Sequence, residues 1–276
     1  MHPIKPLPWN KTVDLRSFDP SDTMGFKDKQ TSHAATEKIT VRIGELQENL
    51  YADGARALLI ILQGMDASGK DGAVRRVFDH VNPAGVRVTS FKAPTATERA
   101  HDFLWRSHVA APALGTIGIF NRSHYEEVLI VRVHAKEMLP EYLRHKKDLW
   151  AARFEMINNF EKLLARNGVT VLKFFLHISS DEQRKRFLKR QQDPEKRYKL
   201  SADDLRERQH WDQYVDAYQD MLQHTSAPDA PWYIVPANHK WTRDHAIAAT
   251  VCAALEGMKL APRQAEDPDV LKAKIQ

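Results

Sequence analysis

Leu58–Asp71 reads LLIILQGMDASGKD, a short apolar run that breaks into a glycine-flanked turn carrying a lysine. Leu58 to Leu62 is too apolar and too short for a surface helix, and its Leu/Ile content suits a strand buried on both faces of a parallel sheet. Gly64 to Lys70 fits the spacing G-x-x-x-x-G-K. Glycines at those positions let successive backbone N–H groups cradle phosphate oxygens, while the lysine reaches the outer phosphates. A helix that follows adds a partial positive charge at its N-terminus. Gly64, Ala67, Ser68, Gly69, Lys70, Asp71 and Gly72 are therefore candidate phosphate- and nucleotide-binding residues. A hydroxyl residue ordinarily follows the lysine and holds Mg2+, but here the next residue is Asp71, and Asp66 lies inside the loop as well. Two carboxylates in a nest built for anions repel the ligand unless a divalent cation lies between them. Asp66 is thus the candidate metal-organising residue, with Mg2+ as the metal.

The chain has 276 residues, of which 42% are apolar, enough for one α/β domain with insertions. One cysteine, Cys252, excludes a disulfide framework, and a reduced, cytoplasmic setting is the natural reading. Met1 to Asp14 lacks the apolar core of a signal peptide, and no apolar run approaches the roughly 20 residues that span a bilayer, so no membrane partner is expected. No His/Cys cluster has zinc-ligand spacing, and no G-x-S-x-G elbow supports a serine hydrolase. The net charge of +5 is modest, so its distribution carries the information.

Residues 1–31 are polar and proline-punctuated and read as an extended arm lying on the domain rather than within its core. An amphipathic helix is expected over residues 33–51, and after the loop a helix over 72–80 and a strand over 85–91. The strand ends at Lys92, a candidate phosphate contact because ligands of open α/β sheets bind outside the carboxyl ends of strands; a solvated lysine is the alternative. Thr95 or Thr97 is expected to cap a helix running through Trp105. Thr116 to Phe120 forms the next strand, and Asn121 follows in the slot where such proteins place a second metal-proximal polar residue, ordinarily Asp. Arg122 offers a fork matched to phosphate oxygens. Glu126 stands three residues after Ser123, so a capping box competes with a role in the site.

A long helix is expected over 142–167, a fourth strand over 169–178, a helix capped by Ser201 running to about His224, and a fifth strand over 232–236. The aromatic side of the Ser201-capped helix, Trp211, Tyr214 and Tyr218, reads as core rather than as a platform for a base. Between Arg184 and Lys199 eight basic residues face two acidic ones. Arg186 and Arg190 are four apart and share a helical face. A solvated face is the bland reading of such a run; its place after a strand's carboxyl end favours a mobile basic lid over 182–204. The tail from 261 to 276 is polar and peripheral.

Taken together, GMDASGKDG (64–72), SFKAPT (90–95), FNRSHYEEVL (120–129), EQRKRFLKR followed by DPEKRYKLSADD (182–204) and NHKW (238–241) resemble the polyphosphate kinase 2 family, in the right order and across most of the chain. The resemblance implies a P-loop kinase fold like that of thymidylate kinase, a five-stranded parallel sheet flanked by helices with a basic lid, over residues 32–260. It implies reversible phosphoryl transfer from inorganic polyphosphate to AMP and/or ADP, giving ADP and/or ATP, with Mg2+ or, in its place, Mn2+. Asp66 and Lys70 carry over as the metal-organising and phosphate-binding residues, and Arg122 as the basic residue after the third strand. Arg186 and Arg190 carry over as the lid's phosphate-gripping pair, with Lys196 and Lys199 beside them as further polyphosphate contacts. Many members of the family have Asp at the position of Asn121. The Tyr125-Glu126-Glu127 continuation resembles the class III members, which accept both AMP and ADP. A homo-oligomer is the family's common state, and no nucleic-acid partner is implied. Two rivals stand beside this reading. An ATP-dependent nucleoside or nucleoside-monophosphate kinase of the same fold would share these motif classes and differ in its donor. A non-catalytic polyanion binder would use the basic run alone, although that run has few interleaved aromatics.

Overall fold

Alternation along Ala57–Gln63 (β1) organises two layers of helix. Leu58, Ile60 and Leu62 point into one apolar cluster and Ala57, Leu59 and Ile61 into the other, and every residue of the strand is buried. The computed structural model describes residues 3–9, 11–260 and 272–273. Four further strands, Val86–Ser90 (β2), Ile117–Asn121 (β3), Val169–His177 (β4) and Trp232–Pro236 (β5), join β1 in an all-parallel sheet of order β2-β3-β1-β4-β5, in which β3 and β4 pair with β1. The central position of β1 places the end of that strand, and the loop after it, at the middle of the sheet's carboxyl edge.

Among the described residues, six helices reach eight residues or more: Lys29–Asp53 (α1), Lys70–Val77 (α2), Leu149–Arg166 (α3), Ser180–Gln192 (α4), Trp211–Thr225 (α5) and Lys240–Gly257 (α6). Helices α1, α2 and α6 cover the face that carries Leu58 and Ile60. Helices α3 and α5 cover the other with Phe154, Ile157, Phe160, Met221 and Leu222. No helix among the described residues is long and apolar enough to cross a membrane.

Three expected helices are shorter than their patterns. Thr95 caps only Ala96–Arg99, in a reciprocal box with Glu98, and Asp102 then accepts from the Leu104 amide and starts a separate helix, Trp105–Ala110. The pattern over 142–167 yields one turn, Glu141–Arg144, before α3, because Arg144 and Lys147 would stack like charges one turn apart. The helix capped by Ser201 covers Ala202–Glu207 and tightens at Arg208–His210 before α5. There the Arg208 guanidinium is drawn to the Ser180 carbonyl and hydroxyl and to Gln183. The tail from 261 onward lies outside the described residues, except for 272 and 273.

The N-terminal arm is less peripheral than its composition implies. Leu7, Val13 and Leu15 are buried in the α3/α5 cluster, and Phe26 stacks edge-on against His245 of α6. The Leu7 amide donates to the Trp232 carbonyl of the edge strand β5, and the Asn238 amide donates to the carbonyl of Pro20. A polar, proline-rich segment thus closes one edge of the sheet with a few apolar anchors set between exposed residues. Leu15→Ala should cost about 2–5 kcal/mol of stability in urea unfolding, the loss of a core leucine, whereas a peripheral arm would cost under about 0.5.

Candidate active site

The turn between β1 and α2 faces one difficulty: amides aimed at an anion leave carbonyls aimed into the protein, and those carbonyls need donors. The Lys70 ammonium donates to the carbonyls of Gly64 at 2.7 Å and Met65 at 3.4 Å. Gln183 Nε2 donates to that of Asp66 at 3.0 Å. Arg186 Nη1 donates to those of Ala67 at 2.8 Å and Ser68 at 3.0 Å, and Arg243 Nη1 approaches Ser68 at 3.4 Å. The other arm of Arg186 donates to Ala237 at 2.7 Å and Asn238 at 2.8 Å. Gly69 has φ +102°, and a Cβ there would lie 1.8 Å from Arg243 Nη1, so glycine is required twice over. Ala67 at φ +61° and Arg122 at φ +62° take the same left-handed region without being glycine, backbone strain of the kind that gathers at functional sites.

Arg122 directly follows β3, and its Nη2 lies 2.6 Å from Asp66 Oδ1 of the loop. Burial works against the Arg122 charge, yet Glu126 and Asp66 outweigh it and raise its pKa. Lys70 is affected the other way: burial and then Arg122 push its pKa down to about 8. A lysine folded onto carbonyls in this state has ammonium hydrogens to offer an incoming phosphate.

A cavity of about 350 Å³ opens beside these groups. Gly64, Asp66, Arg122 and Glu126 line one end; Asp203, Asp204, Glu207, Trp211 and Tyr214 line the other. Glu126 faces this space, and the capping alternative is not realised, since Ser123 accepts from the Tyr125 amide instead. Trp211 and Tyr214 are only partly buried and border the cavity, so the aromatic face of α5 divides between site and core, with Met221 in the core and the buried Tyr218 belonging to both.

Other expected site residues lie elsewhere. Asn121 Nδ2 donates to Asp71 Oδ1 at 2.5 Å, a link between β3 and α2. Lys92 is exposed, and its carbonyl accepts from Arg106. The basic run divides as well. Arg186, expected on an open lid face with Arg190, is buried under the phosphate loop because four carbonyls there need its forked donors. Arg190 instead donates to the Lys199 carbonyl at 2.9 Å, and Lys196 pairs with Asp193, both on the exposed 193–199 connection. Gln183, Arg243 and the carboxylates at 203, 204 and 207 were not singled out from the sequence. Their signal is tertiary: a donor beneath a loop looks, in sequence, like any polar residue at a helix start.

Whether a metal fits can be judged from the donors. The described residues hold no group of three metal-ligating side chains. Asp66 and Glu126 reach the cavity, and the buried Ser68 Oγ has no hydrogen-bond partner. A sparse oxygen set of this kind suits Mg2+, which keeps several waters and completes its shell with substrate phosphates rather than with a protein cage.

Comparison with known proteins gives the family. An AMP/ADP-polyphosphate phosphotransferase of Meiothermus ruber is 46% identical over 263 residues, 95% of this chain and 94% of that one. An ADP-polyphosphate phosphotransferase of Rhodopseudomonas palustris is also 46% identical, over 90% of this chain and 87% of its own. The crystal structure of polyphosphate kinase 2 from Arthrobacter aurescens superposes with a TM-score of 0.88 at 38% identity, covering 98% of both chains. The family model of polyphosphate kinase 2 matches residues 26–263, which carry the loop, Arg122 and the basic run, and the chain belongs to that family.

Proposed function

We propose that this protein transfers the terminal phosphoryl group of inorganic polyphosphate to AMP and ADP, reversibly and with Mg2+, for which Mn2+ can substitute. The observation that carries the reading is the pairing of Arg122 with Asp66 on the cavity wall at the end of β1, beside the loop whose Gly64 and Met65 carbonyls Lys70 holds. Phosphoryl transfer asks little covalent chemistry of a protein; it asks for aligned reactants and neutralised charge. Lys70 and Arg122 supply the fixed cations. Asp66 and Glu126 would hold the metal, which supplies further neutralisation of the transferring phosphate when bound. The exposed cations of the 193–199 connection stand where a long polyanion can be gripped, and Arg190 and Lys199 are the donor-side residues in this reading.

Acceptance of AMP as well as ADP draws on the Meiothermus ruber relative and on Glu126, the member of the Tyr125-Glu126-Glu127 run that borders the cavity. Glu127 pairs with Arg153, and Tyr125 is wholly buried.

Incubation with polyphosphate and Mg2+, once with AMP and once with ADP, should yield ADP and ATP by chromatography. Product only from ADP would remove AMP from the substrate list; product only when ATP replaces polyphosphate would turn the assignment to an ATP-dependent kinase. Lys70→Ala should lower kcat by about a hundredfold or more.

The depressed pKa of Lys70 sets a pH dependence. The ammonium is retained below about 8 and lost above it in the free enzyme, so kcat/KM should fall as pH rises through that value. Bound phosphate favours the charged form, so the alkaline limb of kcat should lie higher.

Arg190→Glu should raise the polyphosphate KM with little change in Tm. Arg186→Glu should lower Tm and kcat together, because it strips donors from the loop itself. Equal and purely donor-directed effects on KM would return Arg186 to the lid.

A further inference from the structure

Behind the Arg122–Glu126 segment, on the side away from the cavity, lies a charged cluster with no route to solvent. Lys173 on β4, Glu161 on α3 and Tyr125 are each 0% exposed. Lys173 faces the α3/α5 layer between Val171 and Phe175, a position whose neighbours on that face are apolar. Its ammonium donates to Glu161 Oε2 at 2.5 Å, the Thr225 carbonyl at 2.6 Å and the Tyr125 hydroxyl at 2.9 Å, which uses all three hydrogens. The Tyr125 hydroxyl in turn donates to Glu161 Oε1 at 2.7 Å, and His124 Nε2 lies 3.3 Å from the same oxygen. Burial works against the Glu161 carboxylate, but Lys173 and His124 together outweigh it and hold its pKa below the ordinary value. Burial lowers the Lys173 pKa.

A pair buried this deeply is poorly explained by stability alone, since an apolar pair of similar volume is often as stable or more so. What the cluster does contribute is direction. Three elements, α3, β4 and the end of α5, meet on one phenol and fix it from three sides. The phenol belongs to a segment that begins at Arg122, in a strained backbone conformation, and ends at Glu126, and both of those residues line the cavity. An irregular stretch with a left-handed residue at its head has other conformations of similar energy, and a multiply bonded side chain in its middle removes them.

We propose that Tyr125, Glu161 and Lys173 are positioning residues for phosphoryl transfer, a buried lock that aims Arg122 into the cavity from behind. The proposal rests on the reading of Arg122 as a phosphate-contacting group.

The test is a double-mutant cycle on kcat, with polyphosphate and ADP as substrates, using Tyr125→Phe, Arg122→Ala and the two combined. Phenylalanine keeps the ring and removes only the hydroxyl. Tyr125→Phe should lower kcat about tenfold, the scale of one lost hydrogen bond to a charged group, with the ADP KM changed by less than about twofold. In the Arg122→Ala background the same change should lower kcat by less than about twofold, because the group through which it acts is gone. If Tyr125→Phe does not fold, Lys173→Met with Glu161→Leu removes both charges together, leaves neither unpaired, and enters the same cycle in its place. A tenfold loss in both backgrounds, or no loss in either, overturns the lock. Arg122→Ala with unchanged kcat overturns it together with the role given to Arg122, while polyphosphate-dependent turnover stands. No turnover in the unaltered chain overturns the functional reading and the lock with it.

Discussion

A loop that offers its amides to phosphate exposes its carbonyls to the protein interior, and each of those from Gly64 to Ser68 meets a side-chain donor. Much of the surrounding architecture follows from that requirement. Buried acceptors cost free energy when left alone, and cationic donors meet them best. Gln183 and Arg186 come from the first turns of α4, and Arg243 from the start of α6. The helix that begins the basic run is thereby tied to the phosphate loop at its root, and only the part beyond Arg186 is left to respond to a ligand. The requirement for glycine at position 69 has the same origin: the guanidinium that backs the loop fills the volume a Cβ would take.

The same crowding of cations shapes the electrostatics. Lys70, Arg122, Arg186 and Arg243 gather around one turn, and burial together with Arg122 loosens the proton on Lys70. Carboxylates answer them: Asp66 pairs with Arg122, Asp71 accepts from the neutral Asn121 amide, and Glu126, Asp203, Asp204 and Glu207 line the cavity. A divalent cation is needed where those carboxylates and a phosphate meet. Stabilisation of this kind depends on groups held in place before substrate arrives. For Arg122 the hold comes from two sides: Asp66 in front and the Tyr125 segment behind.

Much of the fold was legible from local pattern. The strands read at 58–62, 85–91, 116–120, 169–178 and 232–236 all appear with boundaries within a residue or two, four of them from apolar runs because a buried parallel strand is apolar on both faces, and the largely exposed edge strand β2 from its alternation. Gly64, Lys70 and Asp66 were legible because the chemistry of a phosphate loop is written in consecutive residues. Arg122 was legible because it directly follows a strand end. Helices misread in length failed at points where a side chain captured the backbone or like charges met, as at Asp102 and Arg144–Lys147. The buried anchors of the arm, Leu7, Val13 and Leu15, are too few and too irregularly spaced to stand out among prolines and polar residues.

By itself, then, the sequence determined the order of strands and helices, the glycine–lysine turn after β1 and the presence of a basic segment. Those properties depend on residues close together in the chain. Only the tertiary structure decided which cations face substrate and which hold up the loop. Arg186 and Arg190 share one helical face and one charge, yet one meets four buried carbonyls and the other an exposed connection. Lys173 reads in sequence as an interruption of an apolar strand; folded, it is the centre of a saturated network 48 residues from the tyrosine it holds. A side chain's role is set by the acceptors that surround it, and most of those are brought by distant segments.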